Sequence, residues 1–208
     1  MPPEVDPSAD PLKDPEITGR KGSRDIPLPR PGAGMSRARM AEILRVDHAG
    51  EYAAVQIYRA QRAVFEGRKG KSDITGDLTE MQGHEAVHLS RFEALLNQNR
   101  VAPTAALPLW HLAAQALGAG TALMGEKAAH ACTEAVESVI EQHYADQIAE
   151  LADRDPELAR ELAQFRAEEM AHHDHAVEHG SRDAPGYRLL SSVIKAGCRA
   201  AIKVSERV

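Results

Sequence analysis

Four glutamates that fall inside apolar helical stripes constrain the fold of this chain more than any other feature. Apolar residues recur every three or four positions in segments 36–66, 72–99, 126–152 and 156–179, a spacing typical of helices that bury one face. A carboxylate within such a stripe is costly unless a positive charge opposes it. The pattern therefore predicts a charged centre between four helices, built on one acid from each: Glu51, Glu85, Glu137 and Glu169.

Two of these glutamates begin a Glu-x-x-His unit, and no other glutamate of the chain does. The two units are Glu85 to His88 and Glu169 to His172. Positions i and i+3 project from the same side of a helix, so a carboxylate and an imidazole can reach one ion. A lone Glu from each of two helices, with Glu-x-x-His from the other two, is the signature of di-iron or di-manganese carboxylate proteins.

The spacing of these residues also indicates an internal repeat. Glu51 and Glu137 are 86 residues apart, and the two Glu-x-x-His units are 84 residues apart. We therefore expect two helical hairpins related by pseudo-symmetry, each supplying one lone Glu and one Glu-x-x-His unit.

The predicted fold is all-α, an antiparallel four-helix bundle with a long connection between its second and third helices. Aromatic residues make up 4% of the sequence and alanine occurs 35 times, which favours helices over a β-sandwich or barrel. A further amphipathic helix is predicted after residue 186.

Two other interpretations compete with a dinuclear centre. The sequence His84-Glu-Ala-Val-His88 matches the H-E-x-x-H helix of zinc proteases, in which Glu85 would be a base. That interpretation leaves Glu51 and Glu137 buried without a role, and Glu169 is preceded by Glu168 rather than by histidine. The second alternative, a purely structural bundle with a solvated acidic face, requires all four stripes to be wrongly phased.

Residues 1–34 are predicted to be a disordered Pro-rich tail, and residues 35–208 a single domain. Eight of the twelve prolines fall within residues 1–31. Neither a secretory signal nor a transit peptide is predicted, because the N-terminal region is acidic and lacks an apolar stretch. A formal net charge of −6 argues against nucleic-acid binding.

Residues 101–125 contain no Asp, Glu, Lys or Arg but are interrupted by prolines, glycines and polar residues. A full membrane span is therefore not expected. An interfacial helix or the wall of a hydrophobic substrate channel fits this composition, and a helix packed across the end of the bundle is the alternative.

Beyond residue 35 the sequence resembles the demethoxyubiquinone hydroxylases, membrane-associated di-iron monooxygenases of ubiquinone biosynthesis with a ferritin-like fold. The matching stretches are Arg45-Val-Asp-His-Ala-Gly-Glu-Tyr52, Ala119-Gly-Thr-Ala-Leu123, Ala131-Cys-Thr133, Ala135-Val-Glu137, Phe165-Arg166, residues 168–174, Ala184-Pro-Gly-Tyr187 and Ala196-Gly-Cys198.

The resemblance implies that the same six residues are iron ligands: Glu51, Glu85, His88, Glu137, Glu169 and His172. It also suggests that His143 and Tyr144 lie close to the metals or the substrate. Two positions depart from the family pattern, since Ser138 replaces a second glutamate and Glu134 stands where a small apolar residue is common.

The reaction implied is hydroxylation of the ring of demethoxyubiquinol, with two iron ions as cofactor, O2 as co-substrate and NADH as external reductant. The implied partners are a polyprenyl quinone substrate, the membrane surface, a lipid-binding accessory protein and further copies of the chain. A peripheral location on the cytoplasmic face of the inner membrane follows for a bacterial-type protein. Another ferritin-like di-iron oxidase or iron-handling protein, and a non-catalytic helical interaction protein, remain the alternatives.

Overall fold

The computed structural model describes residues 34–208, and all regular structure within them is helical. The predicted tail therefore lies outside the described residues, except for Gly34. The elements are α1 (Arg37–Phe65), α2 (Ser72–Asn99), α3 (Leu107–Leu123), α4 (Glu126–Leu151), α5 (Pro156–Glu178), a 3-10 turn (Ser181–Asp183) and α6 (Tyr187–Ser205). The all-α prediction is confirmed.

Local chemistry sets several of the helix ends. The Ser36 side chain accepts a hydrogen bond from the Arg39 amide and caps α1. Asp155 caps α5 in the same way, followed by Pro156 at the first helical position. Gly180, with a φ of 79°, takes the left-handed conformation that ends α5.

The helices form two matching halves. Helix α1 packs on α2 and α4 packs on α5, so each pair is one of the predicted hairpins. The helix that follows each hairpin then packs back on its first member, α3 on α1 and α6 on α4. The two outer helices also contact each other, since Trp110 Nε1 on α3 donates to Ser205 Oγ on α6 at 3.0 Å. Arg45 on α1 donates to the carbonyl oxygen of Glu206, just after α6, at 3.0 Å.

The position of α3 decides between the two interpretations of residues 101–125. This helix lies along α1 and does not pack across the end of the bundle. Gly118 is buried against α1, and a Cβ at this position would overlap the backbone carbonyl oxygen of Ile57. Tyr52 and His111 hydrogen-bond between the two helices at 2.8 Å. No helix within residues 34–208 is both long and apolar enough to cross a membrane.

The unusual Glu134 has a structural role in joining α4 to α6. Its carboxylate is buried and accepts hydrogen bonds from Ser181, from Tyr187 at 2.7 Å and from Arg182 at 3.2 Å. Burial alone would raise the pKa of Glu134, but these hydrogen bonds outweigh it and the pKa is lowered. The hydrogen bonds of Glu134 therefore stabilise the 3-10 turn that leads into α6, a role that a small apolar residue could not fill.

We expect Gly118→Ala to lower the free energy of unfolding by about 1–3 kcal/mol, since the added methyl group overlaps backbone that cannot move aside easily. Gly120→Ala on the same helix meets nothing within 4 Å and should leave stability unchanged or raise it by up to about 1 kcal/mol. Urea denaturation of both variants measures the difference. Equal stabilities would contradict the close approach of α3 to α1.

Candidate dinuclear metal centre

The six predicted ligands lie together in the middle of the bundle. Glu51 comes from α1, Glu85 and His88 from α2, Glu137 from α4, and Glu169 and His172 from α5. None of the six residues is more than 5% exposed. Along α1 and α2 the acids are flanked by two apolar clusters, one containing Leu44, Phe92 and Tyr144 and the other Tyr58, Leu78 and Met81.

Their donor atoms form two groups that share two carboxylates. One group is Glu51, Glu85, His88 and Glu169, and the other is Glu85, Glu137, Glu169 and His172. Within each group the donor atoms lie within 4.8 Å of one another. Glu85 and Glu169 belong to both groups, so each could contribute to holding either of two ions, whereas each lone Glu and each His belongs to one group only.

The imidazoles already point into these groups. His88 Nδ1 lies 3.1 Å from Glu169 Oε1 and 3.5 Å from Glu51 Oε2. On the other side, His172 Nδ1 lies 3.0 Å from Glu85 Oε1 and 3.5 Å from Glu169 Oε2. Each Nδ1 thus faces the shared carboxylates rather than solvent.

Several buried carboxylate oxygens have no hydrogen-bond donor among residues 34–208. These are Glu51 Oε2, both oxygens of Glu85, Glu137 Oε2 and Glu169 Oε2. Buried oxygens of this kind normally have a partner, and four carboxylates balance the charge of two divalent cations. The residues therefore fit a pair of divalent metal ions.

The proton affinities of the metal-free groups reflect the same charge imbalance. Burial, and then repulsion from the neighbouring carboxylates, raises the pKa of Glu85 and Glu137 well above its ordinary value. Burial also opposes protonation of His88, but the hydrogen bond to Glu169 and the nearby Glu51 carboxylate outweigh it and raise the pKa of His88 to about 11. In the absence of metal, bound protons thus neutralise part of the negative charge that metal cations would otherwise balance.

Two tyrosines fix the lone glutamates across the halves of the molecule. The Tyr58 hydroxyl on α1 donates to Glu137 on α4, and the Tyr144 hydroxyl on α4 donates to Glu51 on α1. Both hydroxyls are buried, and burial raises the pKa of both tyrosines well above the ordinary value, so they stay protonated donors. Each tyrosine follows a lone glutamate by seven residues, a regularity that could have predicted Tyr58 as well.

Two further residues that sequence reasoning missed hold the ligand imidazoles. Glu168 Oε2 lies 2.6 Å from His88 Nε2, and His84 Nδ1 lies 3.0 Å from His172 Nε2. Each is the residue before a motif glutamate, and each contacts the histidine of the other motif. Such contacts orient a metal-binding imidazole and set its tautomer.

The other expected residue, His143, forms no hydrogen bond or ion pair with the six predicted ligands among residues 34–208. Its Nε2 atom lies 2.9 Å from Gln147 Nε2 and 3.5 Å from Asp47 Oδ1. Burial would lower the pKa of His143, but the hydrogen bond to Asp47 outweighs it and raises the pKa. Of the pair His143 and Tyr144, only Tyr144 contacts a predicted ligand within residues 34–208.

The zinc-protease interpretation does not match this geometry. In the described residues His84 and His88 share no candidate metal group, because His84 is exposed and contacts His172. Glu85 instead lies in both groups of the buried cluster.

Residues 38–205 match the family described as "Ubiquinone biosynthesis protein COQ7". The chain belongs to this family. This COQ7-family chain is 46% identical to the 3-demethoxyubiquinol 3-hydroxylase of Rhodospirillum rubrum, over 99% of the chain and 94% of the relative. It is 47% identical to the human NADPH-dependent 3-demethoxyubiquinone 3-hydroxylase, mitochondrial, over 84% of the chain and 80% of the relative.

A yeast relative carries a similar name. The 5-demethoxyubiquinone hydroxylase, mitochondrial, of Saccharomyces cerevisiae is 38% identical over 80% of this chain and 77% of the relative. The family predicted from the motifs is thus confirmed.

We expect the metal-free chain to lose stability as pH rises from about 6.5 to about 8.5. The raised pKa values of Glu85, Glu137 and His88 mean that in this range the folded state still holds protons that the unfolded chain has already lost. The free energy of unfolding should fall by about 1.4 kcal/mol per pH unit for each proton concerned. Denaturant titrations of chelator-treated protein measure this slope.

The controls for this experiment are a variant and the loaded protein. Glu85→Gln, which keeps the shape and removes the charge, should flatten the slope. With metal bound the dependence should reverse, because protons compete with the ions for the ligands. Metal-free stability that is constant or rises over this range would contradict a proton-compensated centre.

Proposed function

We propose that this chain hydroxylates the ring of demethoxyubiquinol in ubiquinone biosynthesis, as the names of its relatives state for those proteins. The observation that carries the proposal is the pair of buried four-residue groups sharing Glu85 and Glu169, in a chain whose residues 38–205 match the family.

The proposed cofactor is a pair of iron ions held by the six side chains, with O2 as co-substrate. Carboxylate and imidazole donors suit iron or manganese better than softer metals. Bound iron would supply the oxygen-activating chemistry, which amino-acid side chains lack. We propose a reduced nicotinamide nucleotide as the electron source. The human relative's name specifies NADPH, whereas the family resemblance suggested NADH.

The chain's own residues do three things for such a reaction. Buried carboxylates and imidazoles hold the ions at fixed positions, the tyrosines and His84 and Glu168 hold those ligands, and the two apolar clusters exclude water. Because the Tyr58 and Tyr144 hydroxyls donate to oxygens of Glu137 and Glu51, each lone glutamate has one oxygen occupied and its other oxygen left for an ion.

An apolar cavity of about 340 Å³ provides a place for the quinone and the start of its tail. It lies between α1, α3, α4 and α6, and its walls include Ala54, Leu117, Val136, Ile194 and Ala201. Val136 directly precedes Glu137 in the sequence, and Gly50, another lining residue, directly precedes Glu51. A cavity with this lining favours a ligand that is mostly hydrocarbon.

Apolar side chains exposed on α3 and α6 support a peripheral position on a membrane. Leu112 is 67% exposed and Leu189 is 72% exposed, and Leu109, Leu123 and Val193 are also largely exposed. Helix α6 also exposes three basic side chains, those of Arg188, Arg199 and Lys203. Basic side chains beside apolar ones favour binding to anionic lipid headgroups. We propose this surface, on the cytoplasmic side of a bacterial inner membrane, as the route by which a polyprenyl substrate arrives. A lipid-binding accessory protein and further copies of the chain remain proposed partners.

Quinone profiling in a strain that lacks the chain tests the function. The unmodified chain should restore the normal quinone, whereas Glu137→Ala or Glu169→Ala should leave demethoxyubiquinone accumulated, since each removes a metal ligand. Glu178→Ala, an exposed position on α5, is the matched control. Normal profiles with both ligand variants would sink the proposal, and iron accumulation without a change in quinones would favour an iron-handling protein.

Vesicle co-sedimentation tests the membrane surface. We expect Leu112→Ser with Leu189→Ser to weaken binding to anionic vesicles by about tenfold or more, because the two side chains leave hydrocarbon contacts worth about 1.5–3 kcal/mol each. Val87→Ser on α2 removes an apolar side chain that is 66% exposed and should leave binding unchanged. A membrane surface specific to α3 and α6 would be ruled out if the double variant and the Val87→Ser variant lost binding equally, or if neither lost it.

A further inference from the structure

A second group of metal-binding side chains lies outside the buried centre, between α2 and α5. Asp77 Oδ2 is 3.2 Å from His175 Nε2, and His179 stacks on His175 with ring centroids 4.0 Å apart. One donor atom from each of Asp77, His175 and His179 lies within 4.8 Å of the other two. Two imidazoles and one carboxylate are a donor set typical of divalent iron and other first-row metals.

A buried histidine from a third helix lies beside this group. His130 on α4 is 6% exposed, and its ring centroid lies 5.3 Å from that of His179 and 6.1 Å from that of His175. Among residues 34–208 its ring takes part in no hydrogen bond. Burial, and then the two neighbouring histidines, lower the pKa of His130 to about 4, so it presents a neutral imidazole at physiological pH.

The orientation of His179 also suits metal binding. Its Nδ1 atom lies 2.8 Å from the carbonyl oxygen of His175, so Nδ1 carries the proton and donates. The Nε2 atom is then left with its lone pair free for an ion, which is the arrangement that backbone carbonyls impose on metal-binding histidines.

A cavity of about 220 Å³ adjoins both this group and the buried centre. Asp77 and His175 of the group line it, and so do His172, a predicted ligand of the centre, and His84 and Glu168, which contact the predicted ligands. The lining carries carboxylates and imidazoles along its length, in contrast to the apolar cavity on the other side of the bundle.

We propose that Asp77, His175 and His179, with His130 beside them, bind a divalent metal ion next to this cavity and supply it to the buried centre. The loading role rests on the proposed dinuclear centre, whereas binding at the surface group does not. The carboxylates along the cavity draw a cation inward and raise its local concentration, which speeds association.

Equilibrium dialysis of metal-free protein against Co2+ tests the binding. The unmodified chain should hold three ions, His175→Ala with His179→Ala two, and Glu85→Gln with Glu169→Gln one. His173→Ala, which removes another histidine of α5, should keep three. Two ions in the unmodified chain and none in the glutamine variant would overturn the surface site but leave the dinuclear centre standing. If the unmodified chain binds one ion and the histidine variant binds none, the dinuclear centre would be overturned instead.

The loading role is tested by mixing metal-free protein with Co2+, quenching with EDTA at intervals and measuring chelator-resistant cobalt by mass spectrometry. Loss of His175 and His179 should slow loading of the buried centre by about tenfold while the final occupancy stays the same. Equal loading rates in the variant and the unmodified chain would overturn this role.

Discussion

Four carboxylates and two imidazoles share a core from which water is excluded, and the repulsion between those carboxylates is what the surrounding structure must counter. In the metal-free chain protons counter it, through the raised pKa values of Glu85, Glu137 and His88. Protons supply charge but cannot satisfy every oxygen, and both oxygens of Glu85 remain without donors in the described residues. Cations would supply charge and ligand bonds together, so binding of the proposed metal ions would be energetically linked to folding.

The internal repeat explains how two similar halves hold one centre. Each hairpin carries a lone glutamate, but the tyrosine that anchors it comes from the other half, Tyr144 for Glu51 and Tyr58 for Glu137. The imidazoles follow the same rule, since Glu168 of α5 contacts His88 of α2 and His84 of α2 contacts His172 of α5. Crossed contacts of this kind fix the halves relative to each other, because neither half completes its own ligand set.

Sequence predicted the fold and placed the six ligand candidates together, since helical spacing fixes which residues share a face and burial makes charged residues there conspicuous. It does not say which residue of a neighbouring helix a side chain meets. Glu168 and His84 were therefore not predicted as partners of the histidines, and the contacts of His143 with Asp47 and Gln147 were not predicted either. For the same reason the sequence alone did not decide where the helix in residues 101–125 packs. The contact of Gly118 with Ile57 shows that it packs on α1.

The two sides of the bundle differ in chemistry, and the difference follows from the order of the helices. Helices α3 and α6 return to cover α1 and α4, so the cavity on that side is walled by apolar residues from all four. The polar cavity is lined by α2 and α5 alone, and these two helices carry both Glu-x-x-His units. The proposed substrate, carried in lipid, and the proposed metal ions, carried in water, would need opposite surroundings on their way to one centre. The two cavities would let them approach from different sides of the bundle.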